Sequence, residues 1–276
     1  MGGGACGKMI KGATSSAPRA PAARRATRVP VRALLGPPLG DVGGVLNVAA
    51  EVALKSRLRA WTAVSPSIVA NVGDVMQGRV AGVTIKGRGW RSPLGLSCRT
   101  LEVAVPRGAG IDVDALFQRQ RILLSAPVTG DGVVVLDARD FDAFLSHPRM
   151  PSPGRDLAFR AGGARGAPCE VDPKRGVVRF SCASLPDGNV LRCELQGGAG
   201  KPVVRVVDAG QGAGVGVADY EGVGERLGRF FADLVFELDG TFLQFRRMEV
   251  APGPSPTITL DVSVRVEKFP SPGVEF

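Results

Sequence analysis

Along most of this chain apolar and polar positions alternate with a period of two, the spacing of half-buried strands. The last such stretch is the most regular. Ile258, Leu260, Val262, Val264 and Val266 share one parity, and Thr259, Asp261, Ser263, Arg265 and Glu267 share the other. A strand of this kind has one wet face and one that must meet a helix, a second sheet or a ligand. At about 3.3 Å per residue it extends roughly 30 Å. Between Gly78 and Pro148 the pattern reads strand, strand, strand, helix: Val80 to Gly87, Leu94 to Val105, Ile122 to Gly130 continuing into Val133 to Leu136, then Asp137 to Leu145. Further strands are predicted around Val178, Phe180 and Cys182, around Leu191, Cys193 and Leu195, and over Val203 to Val207.

Two breaks in parity carry information. Leu94, Leu96 and Cys98 lie on one parity while Leu101, Val103 and Val105 lie on the other. Leu243 and Phe245 are likewise out of phase with Met248 and Val250. A strand changes its buried face only by absorbing an extra residue, so the spacing predicts β-bulges near Arg99-Thr100 and near Arg246-Arg247. Bulges bend a strand, as a sheet wrapping around something requires.

Helices are fewer. Val42, Leu46, Ala49, Ala50, Ala53, Leu54, Arg57, Leu58 and Trp61 fall three or four apart, which predicts a helix from Val42 to Trp61 with basic residues near its C-terminal end. It either docks on the sheet or lies against an anionic bilayer. Ser65-Pro66-Ser67 is read as a break, with a second short helix over Ile68 to Met76. Asp137 is a suitable N-cap, Leu136 and Phe141 stand at the staple positions, and Asp140 is at the third helical position. Phe141, Phe144 and Leu145 form its apolar face and Pro148 stops it. A last helix over Tyr220 to Leu234 places Leu227, Phe230, Phe231 and Leu234 together. Gly210 to Gly216 reads as a flexible passage. Residues 149–170, rich in Pro, Gly and Arg, read as a surface loop or a join between two halves of the sheet.

Composition changes this picture at the N-terminus. The 276 residues carry a net charge of +9, but residues 1–40 hold seven cations and no acid, so the remainder carries only +2. The body is therefore nearly neutral, and with aromatics at 5% it offers little for nucleic acid. An Arg-, Ala-, Ser- and Pro-rich, acid-free leader has the composition of an organelle transit peptide, here leaning to the chloroplast. Residues 41–276 are expected to form a single domain. No run of about 18 apolar residues exists, so no membrane-spanning helix is expected.

Candidate chemistry is sparse. The five cysteines form no C-x-x-C pair, and with a single histidine they do not make a zinc site of ordinary spacing. A hairpin loop over Pro186 to Asn189 would set Cys182 opposite Cys193, which makes either a disulfide or two buried thiols conceivable. Gly222-Val223-Gly224-Glu225-Arg226-Leu227-Gly228 has the glycines of a dinucleotide cradle but lacks the parallel βαβ context such a cradle needs. Asp140 with Asp142, and Asp112 with Asp114, read as caps and turns. His147, in the last turn of a helix, suits C-terminal capping better than general-base work. No G-x-S-x-G elbow is present. The expectation is no catalytic residue, no metal, no cofactor and no enzyme.

Gln77-Gly78-Arg79-Val80-Ala81-Gly82-Val83-Thr84-Ile85-Lys86-Gly87-Arg88-Gly89-Trp90, then Gly95-Leu96 and Leu101-Glu102-Val103, resembles the opening of the LmeA-like phospholipid-binding family. Ile122-Leu123-Leu124, Pro127-Val128-Thr129-Gly130, Val134-Val135-Leu136, Asp140-Phe141 and Leu145 continue the resemblance, which covers about residues 65–148; residues 175–268 share only the strand rhythm. Asp142 stands where the family often has Asn. The resemblance implies an α+β fold: a long, curved, mostly antiparallel sheet with bulges, wrapped on one or two helices and similar to tubular lipid-binding domains. It implies non-catalytic binding of phospholipid or another acyl lipid, with phospholipid or a membrane surface as partner. Acyl chains would then lie in an apolar groove lined by Val83, Leu96, Val103, Phe245, Leu260, Val262 and Val264. Arg99, Arg246 or Arg247 at the bulges would meet a head-group phosphate. Two rivals stand beside this reading: a membrane-associated assembly factor that docks a protein on the same apolar face, and an enzyme of lipid or glycan metabolism using His147.

Overall fold

The computed structural model describes residues 42–106, 108–112, 114–115, 123–160, 169–184, 188–198, 201–209, 220–238 and 240–267. The segment 1–40 expected to be a transit peptide, the first residue of the strand expected at Ile122, the Pro186-Asp187 turn and the Gly210 to Gly216 passage lie outside them. Every described strand pairing is antiparallel, and the sheets do not close into a barrel.

The larger sheet has seven strands in the order β1-β3-β4-β6-β14-β13-β12. These are β1 (Ala63–Val69), β3 (Gly82–Arg91), β4 (Ser97–Val105), β6 (Val128–Leu136), β14 (Thr257–Val266), β13 (Thr241–Ala251) and β12 (Val235–Leu238). The smaller sheet runs β11-β10-β9-β7, with β8 also on β9. Its strands are β7 (Leu157–Phe159), β8 (Glu170–Asp172), β9 (Val177–Ser184), β10 (Val190–Gln196) and β11 (Val203–Ala209). A third pairing joins β2 (Arg79–Val80) to β5 (Ala109–Gly110).

Four helices complete the described fold: α1 (Val42–Arg57), α2 (Val72–Met76), α3 (Ala138–Leu145) and α4 (Glu221–Asp233). α3 starts where its sequence says. The Asp137 carboxylate accepts from the Arg139 and Asp140 N–H groups, and Asp140 accepts from the Asp137 N–H, a reciprocal capping box. Phe141 and Leu145 are buried on its inner face. α1 lies along the edge strand β1, where Asn47 Oδ1 accepts from the Ile68 N–H at 2.6 Å, satisfying a donor that an edge strand would leave open.

The main core is one cluster in which large sheet, helices and small sheet meet. Leu136, Met248, Ile258, Leu260, Val262 and Val264 pack with Phe141 and Leu145 of α3, Leu227 and Phe231 of α4, and Val178, Phe180, Cys182, Leu191, Cys193 and Leu195 of the small sheet. Phe159, Phe180, Phe230 and Phe231 stack within it at centroid distances of 5.4–6.0 Å. A second, smaller core joins Leu46, Val75, Val80, Ala109 and Ile111 at the opposite end of the large sheet.

Several expectations need correction. The bulge on β13 is present: the register slips between Phe245 and Arg247, leaving Arg246 unpaired in the ladder. The bulge near Arg99 is not. β3 and β4 hold a constant register, Arg88 opposite Thr100 and Trp90 opposite Cys98, with the Gly89–Arg99 pair skipped. Both strands are distorted at the same place, so no extra residue is needed. Gly89 takes φ +57, and beyond it the Trp90 indole lies over Gly87, in the space a Cβ there would need. Leu94 and Leu96 belong to the turn between the strands, so their parity was never strand parity. Ser65-Pro66-Ser67 lies inside β1; an edge strand tolerates a residue without N–H. α1 ends at Arg57, short of Trp61. Residues 149–170 include β7 and the start of β8, so part of that stretch is sheet.

Candidate functional site

Register places the apolar parity of six strands in two continuous rows. One runs Pro66–Ile85–Val103–Gly132–Val262–Phe245, the other Val64–Gly87–Leu101–Val134–Leu260–Met248. Directly paired residues project on the same side of a sheet, so these rows form one apolar face crossing from β1 to β13. Two flanking rows, Ile68–Val83–Val105 and Leu136–Ile258–Val250, extend it.

Cover over this face is uneven. At β14 and β13 it is the main core, with Leu260, Val262, Val264 and Met248 at most 8% exposed. At the other margin Val83 and Ile68 pack against the small core. Between the two, Pro66, Ile85 and Leu101 are half-buried and belong to neither core. Val103, Val134 and Phe245, also half-buried, border the main core. The result is an apolar strip across the middle strands that the fold covers only in part.

Of the seven residues expected to line a groove, six lie on this face. Leu260, Val262 and Val264 are committed to the core; Val83, Val103 and Phe245 remain half-buried. Leu96 is in the β3–β4 turn, where its N–H donates to Ser92 Oγ at 3.1 Å. The strip contains four residues outside that set, Pro66, Ile85, Leu101 and Val134. The parity shared by Ile85 with Val83 and by Leu101 with Val103 could have found two of them; Pro66 was hidden by being read as a breaker.

The arginines divide. Arg246 Nη1 pairs with Asp131 at 2.7 Å and its Nη2 donates to Ser263 Oγ at 2.9 Å, both on the polar face. Arg247 lies opposite Asp261 and pairs with Glu249, again away from the strip. Neither is brought to the apolar face. Arg99, at the distorted pair, is exposed.

The remaining polar chemistry is structural. His147 Nδ1 accepts from the Arg149 N–H at 3.1 Å, and its ring meets Phe236 edge-on at 5.9 Å. The four described cysteines are free. β9 and β10 pair with Cys182 opposite Leu191 and Cys193 opposite Phe180, and Ser184 closes the hairpin on Asn189. The expected Leu185–Val190 closure, and with it the Cys182–Cys193 pairing, is one residue out on each strand. Burial pushes the Cys182 thiol up to about 11 and the Cys193 thiol higher still. Burial and the nearby Asp140 likewise raise Cys98 to about 11, while burial and Asp142, which accepts from the Cys169 thiol at 3.3 Å, raise Cys169 further. At neutral pH these are protonated thiols, poor nucleophiles and poor metal ligands.

On the outer face of the small sheet Glu194 accepts two hydrogen bonds from Arg175, at 2.8 and 2.9 Å, and one from Arg179 Nε at 2.8 Å. Its burial favours the neutral acid, but the two guanidiniums outweigh that and hold its carboxyl below the ordinary value. A cleft of about 250 Å³ beside it is lined by Arg175, Val177, Glu194, Gln196, Val203 and Arg205. A second, of about 200 Å³, lies on the polar face of the large sheet against Gln244, Ser263 and Arg265. Neither opens on the apolar strip.

Comparison of the chain with protein-family models, with curated proteins and with solved structures finds no match.

Proposed function

We propose that the protein binds phospholipid or another acyl lipid without catalysis, the acyl chains lying along the half-covered strip at Pro66, Ile85, Leu101 and Val103. The observation that carries this is the strip itself: two apolar rows across six antiparallel strands, packed at both margins and only half-covered at Pro66, Ile85, Leu101 and Val103, with Val64 buried and the Trp90 indole over Gly87 beside them. Each methylene laid on it would contribute about 0.8 kcal/mol when fully buried. The resemblance of residues 65–148 to a phospholipid-binding family supports the same reading, including a curved sheet of the tubular lipid-binding kind. The acid-free, arginine-rich residues 1–40 support delivery to a chloroplast, with the mature protein in the stroma or peripheral on the thylakoid or inner envelope. Among the head-group candidates, Arg99 suits the role best because it is exposed and has no ion pair among the described residues; Arg246 and Arg247 are engaged on the other face.

The test is photo-crosslinking of the full chain with a phospholipid bearing a diazirine in its acyl chain. Adducts concentrated on β1, β3 and β4 are expected, and their loss in Leu101→Glu with folding retained. Adducts scattered over the surface, or none, would refute the reading.

The assembly-factor reading draws on one observation of its own: both clefts described above are small, about 250 and 200 Å³, and lie away from the strip, so neither encloses an acyl chain on it. A stoichiometric protein partner displaced by Leu101→Glu, with no lipid adduct on the strip, would favour it.

A further inference from the structure

α1 is apolar on both sides. Its inner side, with Leu46, meets the small core and β1. Its outer side carries Val45, Val48 and Val52, exposed by 38, 45 and 45%. These three valines fall at helical spacing within one narrow stripe, on a helix about 24 Å long. An exposed apolar stripe of this kind is ordinarily enclosed by protein or lipid, yet no described element covers it; Glu51 and Lys55, paired with each other, lie beside it.

The C-terminal end of α1 meets a corner of the sheet built from cations. The Arg59 N–H donates to the Arg91 carbonyl at 2.9 Å, and the Thr62 N–H to the Arg88 carbonyl at 2.8 Å. Arg99 stands across from Gly89, between them. Arg59, Arg88, Arg91 and Arg99 are all exposed, and none has an ion pair among the described residues. Trp61, 41% exposed, is in the same corner, and Leu94, 40% exposed, tips the adjoining turn. An apolar stripe ending in arginines and an exposed indole matches the composition of surfaces that sit at a membrane–water interface. A second copy of the chain is a poor occupant, because pairing the stripe with itself would bring unpaired arginines together.

We propose that α1 and the arginine corner form a docking surface for an anionic lipid bilayer, the valine stripe entering the acyl boundary and the arginines meeting lipid phosphates. The proposal rests on the lipid-binding reading for its choice of partner, but apart from Arg99 it uses different residues, and its test substitutes none of the shared ones. It places the half-covered strip beside the membrane from which its lipid would come.

The test is co-sedimentation of the full chain with vesicles of phosphatidylcholine alone and of phosphatidylcholine mixed with phosphatidylglycerol. Binding to the anionic vesicles only is expected, falling steeply with added salt. Arg88→Gln with Arg91→Gln should weaken it by about tenfold or more. Val48→Glu with Val52→Glu should do the same or worse, and the milder Val48→Ser with Val52→Ser guards against a helix that no longer forms. All three variants should keep the acyl-chain crosslinks of the strip, whereas Leu101→Glu should lose the crosslinks and keep vesicle binding. Equal binding to both vesicles, binding unchanged by the valine substitutions, no binding at all, or a dimer on sizing that those substitutions dissolve would each overturn the proposal.

Discussion

The two halves of the large sheet use the same residue types on the same face and end differently. At β6, β14 and β13 the apolar rows lie under α3, α4 and the small sheet, and Ile258, Met248 and Val264 are sealed. At β1, β3 and β4 the rows continue through Pro66, Ile85 and Leu101 without matching cover. Stability is therefore concentrated in the first half, and the second half keeps apolar area that the described elements leave half-buried. Alternation in sequence reports that a face is apolar; it does not report what lies on it.

The largest effect that would sharpen this contrast is in the sealed half. Phe231→Ala removes a ring packed among Phe159, Phe180 and Phe230 and is expected to cost about 3–5 kcal/mol in chemical denaturation. Leu101→Ala, the same kind of truncation on the half-covered strip, is expected to cost only about 1 kcal/mol, because its neighbours already meet solvent. Equal costs at the two positions would break the comparison.

Glu194→Ala should come next, at about 2–3 kcal/mol, because it removes three charge-assisted hydrogen bonds to Arg175 and Arg179, although Arg179 keeps Glu170 and Asp172. The pH dependence follows from the direction of the Glu194 shift. Its carboxyl is depressed in the folded state, so its contribution is fully present above the ordinary value of 4.5 and is lost as pH falls through the folded value. Glu194→Gln should flatten that acid limb while leaving the alkaline side of the stability profile unchanged.

Smaller effects probe the joints. Gly89→Ala places a Cβ 2.5 Å from Thr62 Oγ1 at a positive φ and is expected to cost about 1–3 kcal/mol, more than an Ala substitution at an ordinary strand glycine. Asp137→Ala removes the α3 cap, at about 1 kcal/mol. Smallest is Arg246→Ala: its partner Asp131 is 66% exposed, so a loss of about 0–1 kcal/mol is expected, with no change in lipid crosslinking.

Much of the architecture was legible because it depends on local rules. β14 alternates without interruption and is a single strand; α3 carries its cap, staple and stop between Leu136 and Pro148; Val178, Phe180, Leu191 and Leu195 are buried as their parity predicts. What failed depends on loops and edges. The Cys182–Cys193 pairing missed by two residues, Leu191 standing opposite Cys182, because hairpin register follows turn geometry, which Pro186-Asp187-Gly188 does not determine on its own. The parity break at Leu94 to Leu101 was assigned to an extra residue on β4, when it comes from a turn and a paired distortion at Gly89. Pro66 was read as a breaker because the rule against proline applies to central strands, and β1 is an edge. Of the site, the face carrying Val83 and Val103 could be read. That Leu260, Val262 and Val264 would be sealed while Ile85 and Leu101 stayed open could not, since that is decided by where the small sheet docks.

The most direct measurement is native mass spectrometry of the full chain, purified without detergent, compared with Leu101→Glu. The account predicts a wild-type ion carrying the added mass of one or more phospholipids, and an unliganded Leu101→Glu ion with unchanged secondary structure. A wild-type protein that is lipid-free, or a Leu101→Glu protein that carries the same lipid, would contradict it.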